Sequence, residues 1–330
     1  MEILDCTLRD GMHALATPLT PEQASRVIGG LTRAGVKVIE AGKPSGLGSP
    51  HAQISDEAYM QAMLPWQDSA SVGMFCTPKF ATDELLELAA RYRLGFLRIG
   101  STPQNVDGAE EVIKKVRNLG IFVRFSLMRV YAVSASQAAE CVARVADMGA
   151  DAVTLMDSAG TMLPRQVVEY VDKCSHACNI PVGFHGHDNL GLSMANALAA
   201  IEAGAQSLDG ALTGLARSAG NAPTEMLCAL LERIGTPIGV ELPTLLDFVD
   251  GELKELFQSG RGVKVIDLLF GLSGFHSGSL KIATQLAERY SIPMQSLFLG
   301  MVEKGAESYS EADMEDLASS IAASGPVGHC

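Results

Sequence analysis

Apolar runs and helical patterns alternate along the first 235 or so residues of this chain. The apolar runs are rich in Val, Ile, Leu and Phe, which is typical of strands that are buried on both faces of a parallel sheet. Strands are predicted at residues 2–8, 36–42, 70–77, 95–101, 121–129, 151–157, 181–187 and 206–212. Helices are predicted between and after them, at residues 21–34, 53–64, 82–93, 107–118, 134–148, 164–177, 189–203 and 222–234.

The predicted helices carry start and stop signals. Thr20, Thr82 and Ser134 precede three of them as candidate N-caps, and Pro21 and Pro164 stand in the first turns of two. Four helices end at a glycine just before the next strand, namely Gly35, Gly120, Gly149 and Gly204. This repeated junction is the signature of an alternating α/β domain.

Eight such units match the size of a (β/α)8 TIM barrel better than a doubly wound sheet, although periodicity alone leaves the sheet open. Pro237 and Pro243, on either side of Gly239, break the pattern. We therefore expect a barrel over residues 1–236 and a small C-terminal helical domain over 237–330, with helices near 244–258, 277–290, 294–303 and 310–323. The fold class is α/β.

Charge, apolar runs and cysteine positions exclude several classes of function. The formal net charge of −13 argues against nucleic acid or an anionic membrane surface as a partner, and no apolar run has the length of about 18 residues that a membrane-spanning helix needs. The seven cysteines form no CxxC motif and lie mainly in apolar segments, which predicts reduced thiols and a cytoplasmic enzyme. Cys174 and Cys178 surround His176 at helical spacing without a fourth ligand, so packing is favoured over a zinc site.

Two polar clusters suggest chemistry. Residues 5–13, DCTLRDGMH, end the first strand with Arg9, Asp10 and His13 around a turn, which indicates either a reaction centre or an ion pair closing the barrel. His185 and His187 lie two apart on a predicted strand and therefore share a face. They are either metal ligands or hydrogen-bonded structural histidines. Asp10 would complete a two-histidine, one-carboxylate site if the two strand ends meet.

Further polar residues follow other strands. Glu40, Arg98, Arg124 and Arg129 are charges in or after apolar strands, where they either form a buried network that orients the site or take part in catalysis directly, and we treat them as the network. Ser158 is either a turn residue or a ligand for a substrate carboxylate. Asn221, expected at the end of the eighth strand, is either a helix cap or a further metal ligand. His276 lies between glycines and either caps a helix or reaches the barrel mouth.

These motifs together resemble a known superfamily. TLRDG at residues 7–11, GFHGH at 183–187, DSAG at 157–160 and GNAP at 220–223 are similar to the metal-dependent lyases and synthases that include isopropylmalate synthase and hydroxymethylglutaryl-CoA lyase. Within that group, RDGMH at 9–13 and AGNAPTE at 219–225 resemble the 4-hydroxy-2-oxovalerate aldolase family of class II pyruvate aldolases.

The resemblance implies roles for the residues. Asp10, His185 and His187, with Asn221 as a further candidate, would hold a divalent cation, with Mn²⁺ favoured over Mg²⁺, Co²⁺ or Zn²⁺. Arg9 would bind the substrate and stabilise the pyruvate enolate, and His13 would take the proton of the 4-hydroxyl. The enzyme would thus split a 4-hydroxy-2-oxo acid into pyruvate and an aldehyde.

The resemblance also has departures and further implications. His276 stands where the aldolases carry a tyrosine, and its segment is closer to the Ser-Gly-x-His pattern of acyl-CoA-condensing synthases. An acyl-CoA-dependent Claisen-type synthase or lyase is therefore the alternative, and a non-catalytic barrel is the third hypothesis. The aldolases associate through their C-terminal domain with an acylating aldehyde dehydrogenase, which makes that enzyme a candidate partner beside a homo-oligomer.

Overall fold

The computed structural model describes residues 1–50, 54–236, 238–256, 270, 278, 280–304 and 310–324. Its centre is a closed barrel of eight parallel strands that neighbour one another in chain order. Their bounds are β1 Glu2–Leu8, β2 Val38–Ala41, β3 Ser71–Cys76, β4 Phe96–Ser101, β5 Phe122–Met128, β6 Ala152–Asp157, β7 Val182–Gly186 and β8 Ser207–Gly210. Pairing of β1 with β8, in register from Glu2 with Ser207, closes the barrel. The predicted TIM barrel is confirmed.

Within the described part of the chain, eight helices surround the barrel, one after each strand. Their bounds are α1 Pro21–Arg33, α2 Asp56–Met63, α3 Asp83–Arg91, α4 Glu110–Asn118, α5 Ala135–Met148, α6 Pro164–Ala177, α7 Ser193–Glu202 and α8 Thr224–Arg233. Thr20 and Ser134 cap α1 and α5 through capping boxes, as predicted. Thr82 occupies the N-cap of α3 without a hydrogen bond from its side chain. The glycines predicted to end helices all have positive φ.

The barrel interior changes from apolar to charged along the strand direction. Val38 and Phe96 pack in an apolar cluster with Leu4 and Cys6. Two residues further along β2 and β4, on the same inward face, lie Glu40 and Arg98, both fully buried. The amino-terminal part of the barrel therefore supports the fold, and the charged layer lies toward the carboxyl ends of the strands, where barrel enzymes place their sites.

Arg124 belongs to the opposite end of the barrel. Its guanidinium pairs with Glu2 at 2.7 Å and lies over the rings of Phe96 and Phe122. Our expectation that it joins the network around the site is therefore wrong. Arg124 lies near the start of β5, at the amino-terminal end of the barrel, where it can reach the carboxylate of Glu2 at the start of β1.

The C-terminal part is helical, as predicted. The helix expected at 244–258 is two helices, α9 Leu242–Asp250 and α10 Glu252–Leu256, interrupted at Gly251. Leu245, Phe248 and Leu253 belong to the same apolar core as the barrel helices. The later helices are α11 Leu280–Arg289, α12 Met294–Lys304 and α13 Glu311–Ser324, and they share a separate apolar cluster with Phe270.

The division of the chain at residue 237 stays a prediction, because α9 and α10 lie beyond it and still pack on the barrel. Within the described residues, no helix combines the length and apolar character needed to cross a membrane. The six described cysteines are free thiols, five of them buried.

Candidate active site

The turn after β1 places Arg9 and Asp10 at the barrel mouth. The backbone N–H groups of both residues donate to the carbonyl of Cys6, at 3.0 and 2.9 Å, which folds the chain sharply as the strand ends. Gly11 permits this turn, because a Cβ there would lie 3.0 Å from the carbonyl oxygen of Leu215. Both charged side chains are at most 7% exposed, so the turn holds them in the interior.

Asp10 and the two histidines converge. The Nε2 atoms of His185 and His187 lie 3.7 and 3.6 Å from the same Asp10 oxygen, Oδ2. The three ligand atoms all lie within 4.8 Å of one another, and all three residues are buried. The ends of β1 and β7 therefore lie side by side, as predicted, and the three side chains can hold a metal ion.

The chemistry of the donors fits a divalent cation. His185 Nδ1 lies 3.0 Å from Asp209 Oδ2, and because a carboxylate only accepts, Nδ1 carries the proton and Nε2 is left as a ligand. Asn221 donates through Nδ2 to Asp10 Oδ2 at 2.9 Å. The other end of that amide, Oδ1, is buried without a hydrogen-bond partner among the described residues, which suits an additional oxygen ligand.

The structure corrects the position of Asn221. It does not end β8, which stops at Gly210, and it does not cap α8, whose N-cap is Pro223. Instead it forms an isolated antiparallel bridge with His187. The loop between β8 and α8 thus folds back across the mouth, which the apolar pattern of the sequence did not reveal.

Buried ion pairs inside the barrel hold Asp10 and His185 in position. Arg9 donates through Nε to Glu40 at 2.5 Å and through Nη1 to Asp10 at 2.8 Å. Arg98 joins Glu40 at 3.4 Å to Asp209 at 2.6 Å, and Asp209 in turn holds His185. The predicted orienting network therefore exists with Glu40 and Arg98. The sequence analysis did not identify Asp209. A carboxylate within a short apolar strand, at a position whose side chain points into the barrel, could have identified it.

These charges hold the carboxylates ionised. Burial alone would raise the pKa of Asp10, but Arg9 and the neighbouring cationic groups lower it well below its ordinary value. Burial likewise opposes ionisation of Asp209, and Arg98 with His185 lowers its pKa. Glu40 and Asp10 outweigh the effect of burial on Arg9 and raise its pKa, so this guanidinium stays charged.

His13 lies at the edge of the cluster, beside a residue that sequence reasoning missed. Arg217 Nη2 lies 2.6 Å from His13 Nε2, and Arg217 Nε lies 3.9 Å from Asp10 Oδ1. Burial, followed by the positive charge of Arg217, lowers the pKa of His13 to about 4. The ring is therefore neutral near pH 7.

The tautomer of His13 follows from its two partners. A guanidinium only donates, so Nε2 accepts from Arg217. The ring also hydrogen-bonds the backbone of Pro44, which has no N–H and can only accept. The proton of His13 is therefore on Nδ1, and its basic lone pair is on Nε2.

Ser158 lies at the end of β6, next to Asp157. Its Oγ accepts a hydrogen bond from the backbone N–H of Arg129 at 3.1 Å, which is typical of a turn residue. The hydroxyl hydrogen of Ser158 does not take part in this bond and can donate to another group. Burial raises the pKa of Asp157 to about 6, against the opposing hydrogen bonds from Met162 and Thr161. His276 lies outside the described residues.

Comparison with known proteins shows the family of this chain. Residues 1–250 match the family described as HMGL-like. A 4-hydroxy-2-oxovalerate aldolase of Pelotomaculum thermopropionicum is 34% identical over 318 residues, 94% of each chain. The enzyme of that name from Carboxydothermus hydrogenoformans is 34% identical over 91% of this chain and 90% of its own.

Solved structures share the fold. An HMG-CoA lyase from Brucella melitensis superposes with a TM-score of 0.68 at 20% identity, over 77% of this chain and 98% of its own. The carboxyl transferase domain of Rhizobium etli pyruvate carboxylase, solved with pyruvate, has a TM-score of 0.78 at 14% identity, over 98% of this chain and 61% of its own. The relatives' names favour the aldolase reading over the acyl-CoA alternative, and they confirm the resemblance stated from the motifs. The chain belongs to the HMGL-like family and, within it, to the 4-hydroxy-2-oxovalerate aldolase family.

Proposed function

We propose that this protein is a metal-dependent aldolase that cleaves or forms a 4-hydroxy-2-oxo acid, with pyruvate or a related 2-oxo acid and an aldehyde as the other side of the reaction. The observation that carries the proposal is the buried cluster of Asp10, His185 and His187 with Arg9 within 2.8 Å of Asp10. A carbon–carbon lyase that works through an enolate needs such a combination of a metal site and a fixed cation.

The metal would be held by Asp10, His185 and His187, with the amide oxygen of Asn221 as an additional ligand. Two imidazoles and a carboxylate leave open positions for substrate and suit Mn²⁺ or Co²⁺, with Mg²⁺ and Zn²⁺ as further candidates. A bound divalent cation supplies Lewis-acid polarisation of the 2-keto group. We favour Mn²⁺.

Arg9 would stabilise the negative charge that develops on the substrate. Its Nε and Nη1 are committed to Glu40 and Asp10, which fixes the plane of the guanidinium. Its Nη2 is buried without a hydrogen-bond partner among the described residues, so this donor is available to the enolate oxygen. A donor that is positioned before the reaction need not reorganise as charge appears.

His13 and Ser158 would act on the two ends of the substrate. The neutral imidazole of His13, with its lone pair on Nε2, has the correct form to accept the proton of the 4-hydroxyl as the C3–C4 bond breaks. The hydroxyl of Ser158, which already accepts from Arg129, would donate its hydrogen to the substrate carboxylate. His276 remains a proposed catalytic residue on the strength of the sequence alone.

The partners of the reaction would be small molecules, and we propose a cytoplasmic homo-oligomer. An acylating aldehyde dehydrogenase is the candidate protein partner, because it would consume the aldehyde. Purification of the protein from its native host under gentle conditions tests this part. Recovery of a homo-oligomer with the dehydrogenase supports it, and recovery of the aldolase chain alone contradicts the complex.

Exchange of the C3 protons of pyruvate tests the proposed activity without knowledge of the aldehyde. The metal-loaded protein should catalyse exchange with deuterated water, followed by NMR, because enolate formation needs no aldehyde. Asp10→Asn should abolish exchange, and Arg9→Lys should slow it by about 10²–10³-fold. A metal-loaded wild-type protein that binds pyruvate without exchanging its protons would contradict the proposal.

A further inference from the structure

The thiol of Cys6 lies inside the barrel, beside a residue proposed as a metal ligand. Cys6 is a fully buried residue of β1 and belongs to the apolar cluster that includes Leu4 and Phe96. Its Sγ lies 3.2 Å from the carbonyl oxygen of Gly210 and 3.6 Å from Nδ2 of Asn221. Cys6 therefore joins the apolar interior of the barrel to the polar layer at the mouth.

The partners of the thiol determine the direction of each hydrogen bond. A carbonyl oxygen only accepts, so the single S–H of Cys6 donates to Gly210. The sulfur lone pairs then remain to accept an N–H from the amide of Asn221. A free cysteine suits this position, because it packs like a small apolar residue and still carries a weak donor and a weak acceptor.

The amide of Asn221 has a defined orientation. Its Nδ2 donates one hydrogen to Asp10 Oδ2 at 2.9 Å and the other to Cys6 Sγ. The carboxylate of Asp10 only accepts, so the nitrogen rather than the oxygen of the amide must face it. The opposite atom, Oδ1, is buried and has no hydrogen-bond partner among the described residues. A buried amide oxygen without a partner is costly, so this atom requires a ligand.

The backbone of Asn221 is held in place by its neighbours. Its N–H donates to the carbonyl of Gly214 at 3.1 Å, and the carbonyl of the preceding Gly220 accepts from the N–H of Asp188 at 2.8 Å. The amide can still rotate about the last side-chain torsion, whose distribution is broad for asparagine. A single hydrogen bond from Nδ2 leaves much of this rotation open. The second hydrogen bond, to Cys6, fixes the plane of the amide.

We propose that Cys6 is a positioning residue for the proposed metal site, and that its thiol holds the amide of Asn221 so that Oδ1 is presented to a bound divalent cation. The inference rests on the proposed function and adds a residue that sets metal affinity without contacting the metal. Cys6 is not one of the three residues whose ligand atoms converge. Loss of the thiol would leave the backbone of Asn221 in place and release only the orientation of its amide.

Mn²⁺ titration of the metal-free protein by calorimetry tests the inference. Cys6→Ala removes the acceptor and should weaken Mn²⁺ binding by about 10-fold, the lower end of the range for residues that orient a metal ligand, because Asp10 still holds one hydrogen of the amide. Cys6→Ser retains a donor and an acceptor and should keep most of the affinity. Cys76→Ala is the matched control, because it removes the same sulfur atom from a fully buried position on β3 in the apolar core. Its Mn²⁺ affinity should equal that of the wild type.

A double-mutant cycle shows whether Cys6 acts through Asn221. Asn221→Ala removes the amide that the thiol holds, so adding Cys6→Ala to it should cause no further loss of Mn²⁺ affinity. Urea unfolding of each metal-free variant shows that the compared proteins are folded. If Cys6→Ala does not fold, Cys6→Val, which fills the space without accepting a hydrogen bond, takes its place in the cycle.

The outcomes separate the inference from the proposed function. Wild-type Mn²⁺ affinity in a folded Cys6→Ala protein, or the same loss of affinity from Cys6→Ala with and without Asn221, would overturn the inference and leave the aldolase proposal intact. A wild-type protein that shows the expected coupling but does not exchange the C3 protons of pyruvate would overturn the proposed function and leave the inference intact. A wild-type protein that does not bind Mn²⁺ would overturn both.

Discussion

Substitution of Asp209 by Asn tests the link between the buried charges and the proposed metal site. The carboxylate of Asp209 lies 3.0 Å from His185 Nδ1 and 2.6 Å from Arg98 Nη2, with both partners at most 1% exposed. Asn preserves the size of the side chain and one hydrogen-bonding oxygen. It removes the negative charge that holds the tautomer of His185 and balances Arg98.

The structure sets the expected magnitude. Without Asp209, the carboxylate that Arg98 keeps among the described residues is Glu40, at 3.4 Å, and removal of one partner from a buried ion pair costs about 3–5 kcal/mol. Since Asn retains one acceptor oxygen, we expect a loss near the lower end, about 3 kcal/mol in the free energy of unfolding. Loss of a carboxylate that orients a ligating histidine should weaken metal binding by about 10–100-fold.

Urea unfolding of the metal-free protein and Mn²⁺ titration by calorimetry measure the two effects separately. The folded pKa of Asp209 is lowered, so its stabilising effect is present above the unfolded value of about 3.9 and is lost as the pH falls below it. The stability difference between wild type and variant should therefore shrink in acid.

Glu2→Gln is the matched control, because it breaks another carboxylate–arginine pair at the far end of the barrel. Glu2 is 38% exposed there, and we expect a loss of about 0–1 kcal/mol with unchanged Mn²⁺ affinity. A folded Asp209→Asn protein with wild-type Mn²⁺ affinity would show that Asp209 does not position His185 for metal binding.

Three other predictions follow from individual contacts. Burial raises the pKa of Asp5 to about 6, so ionisation of this carboxyl destabilises the fold as the pH rises through that value. Urea unfolding should therefore show that Asp5→Asn raises the free energy of unfolding by about 1–3 kcal/mol at pH 8 and by little below pH 4. Gly160→Ala places a Cβ 2.8 Å from the carbonyl of His187 and should weaken Mn²⁺ binding, whereas Gly191→Ala, also at positive φ but in open space, should not. His13→Ala should retain pyruvate C3 exchange while losing aldol cleavage by about 10²–10⁴-fold; equal loss of both rates would remove His13 from the role of base.

The apolar pattern was sufficient to predict the barrel because its strands are buried on both faces. Apolar runs therefore mark the eight strands, and the glycines that end four of the helices helped to separate the units. The boundaries moved by a few residues, as with the strand predicted at 36–42, which spans Val38–Ala41. Gly251 divides the helix predicted at 244–258 into α9 and α10, an effect that periodicity does not detect.

The sequence predicted those site residues whose position follows from the alternation of side chains along a strand or from a motif. Asp10, His185 and His187 follow from strand ends and alternation, and their convergence is present in the structure. Arg217 was missed because it lies in a loop whose path across the barrel mouth depends on tertiary hydrogen bonds. The position of Asn221 was predicted wrongly for the same reason, since the loop separates it from β8.

Pyruvate release from 4-hydroxy-2-oxo acids by protein of defined metal content is the decisive test of metal-dependent aldolase activity. The assay couples pyruvate to lactate dehydrogenase, with chelated protein, Mn²⁺-reloaded protein and His185→Ala as matched samples, and acetyl-CoA with 2-oxo acids as the competing panel. We expect pyruvate release only from the reloaded wild-type protein and no acyl-CoA consumption. Full activity in metal-free protein, or acyl-CoA consumption without pyruvate release, would contradict it.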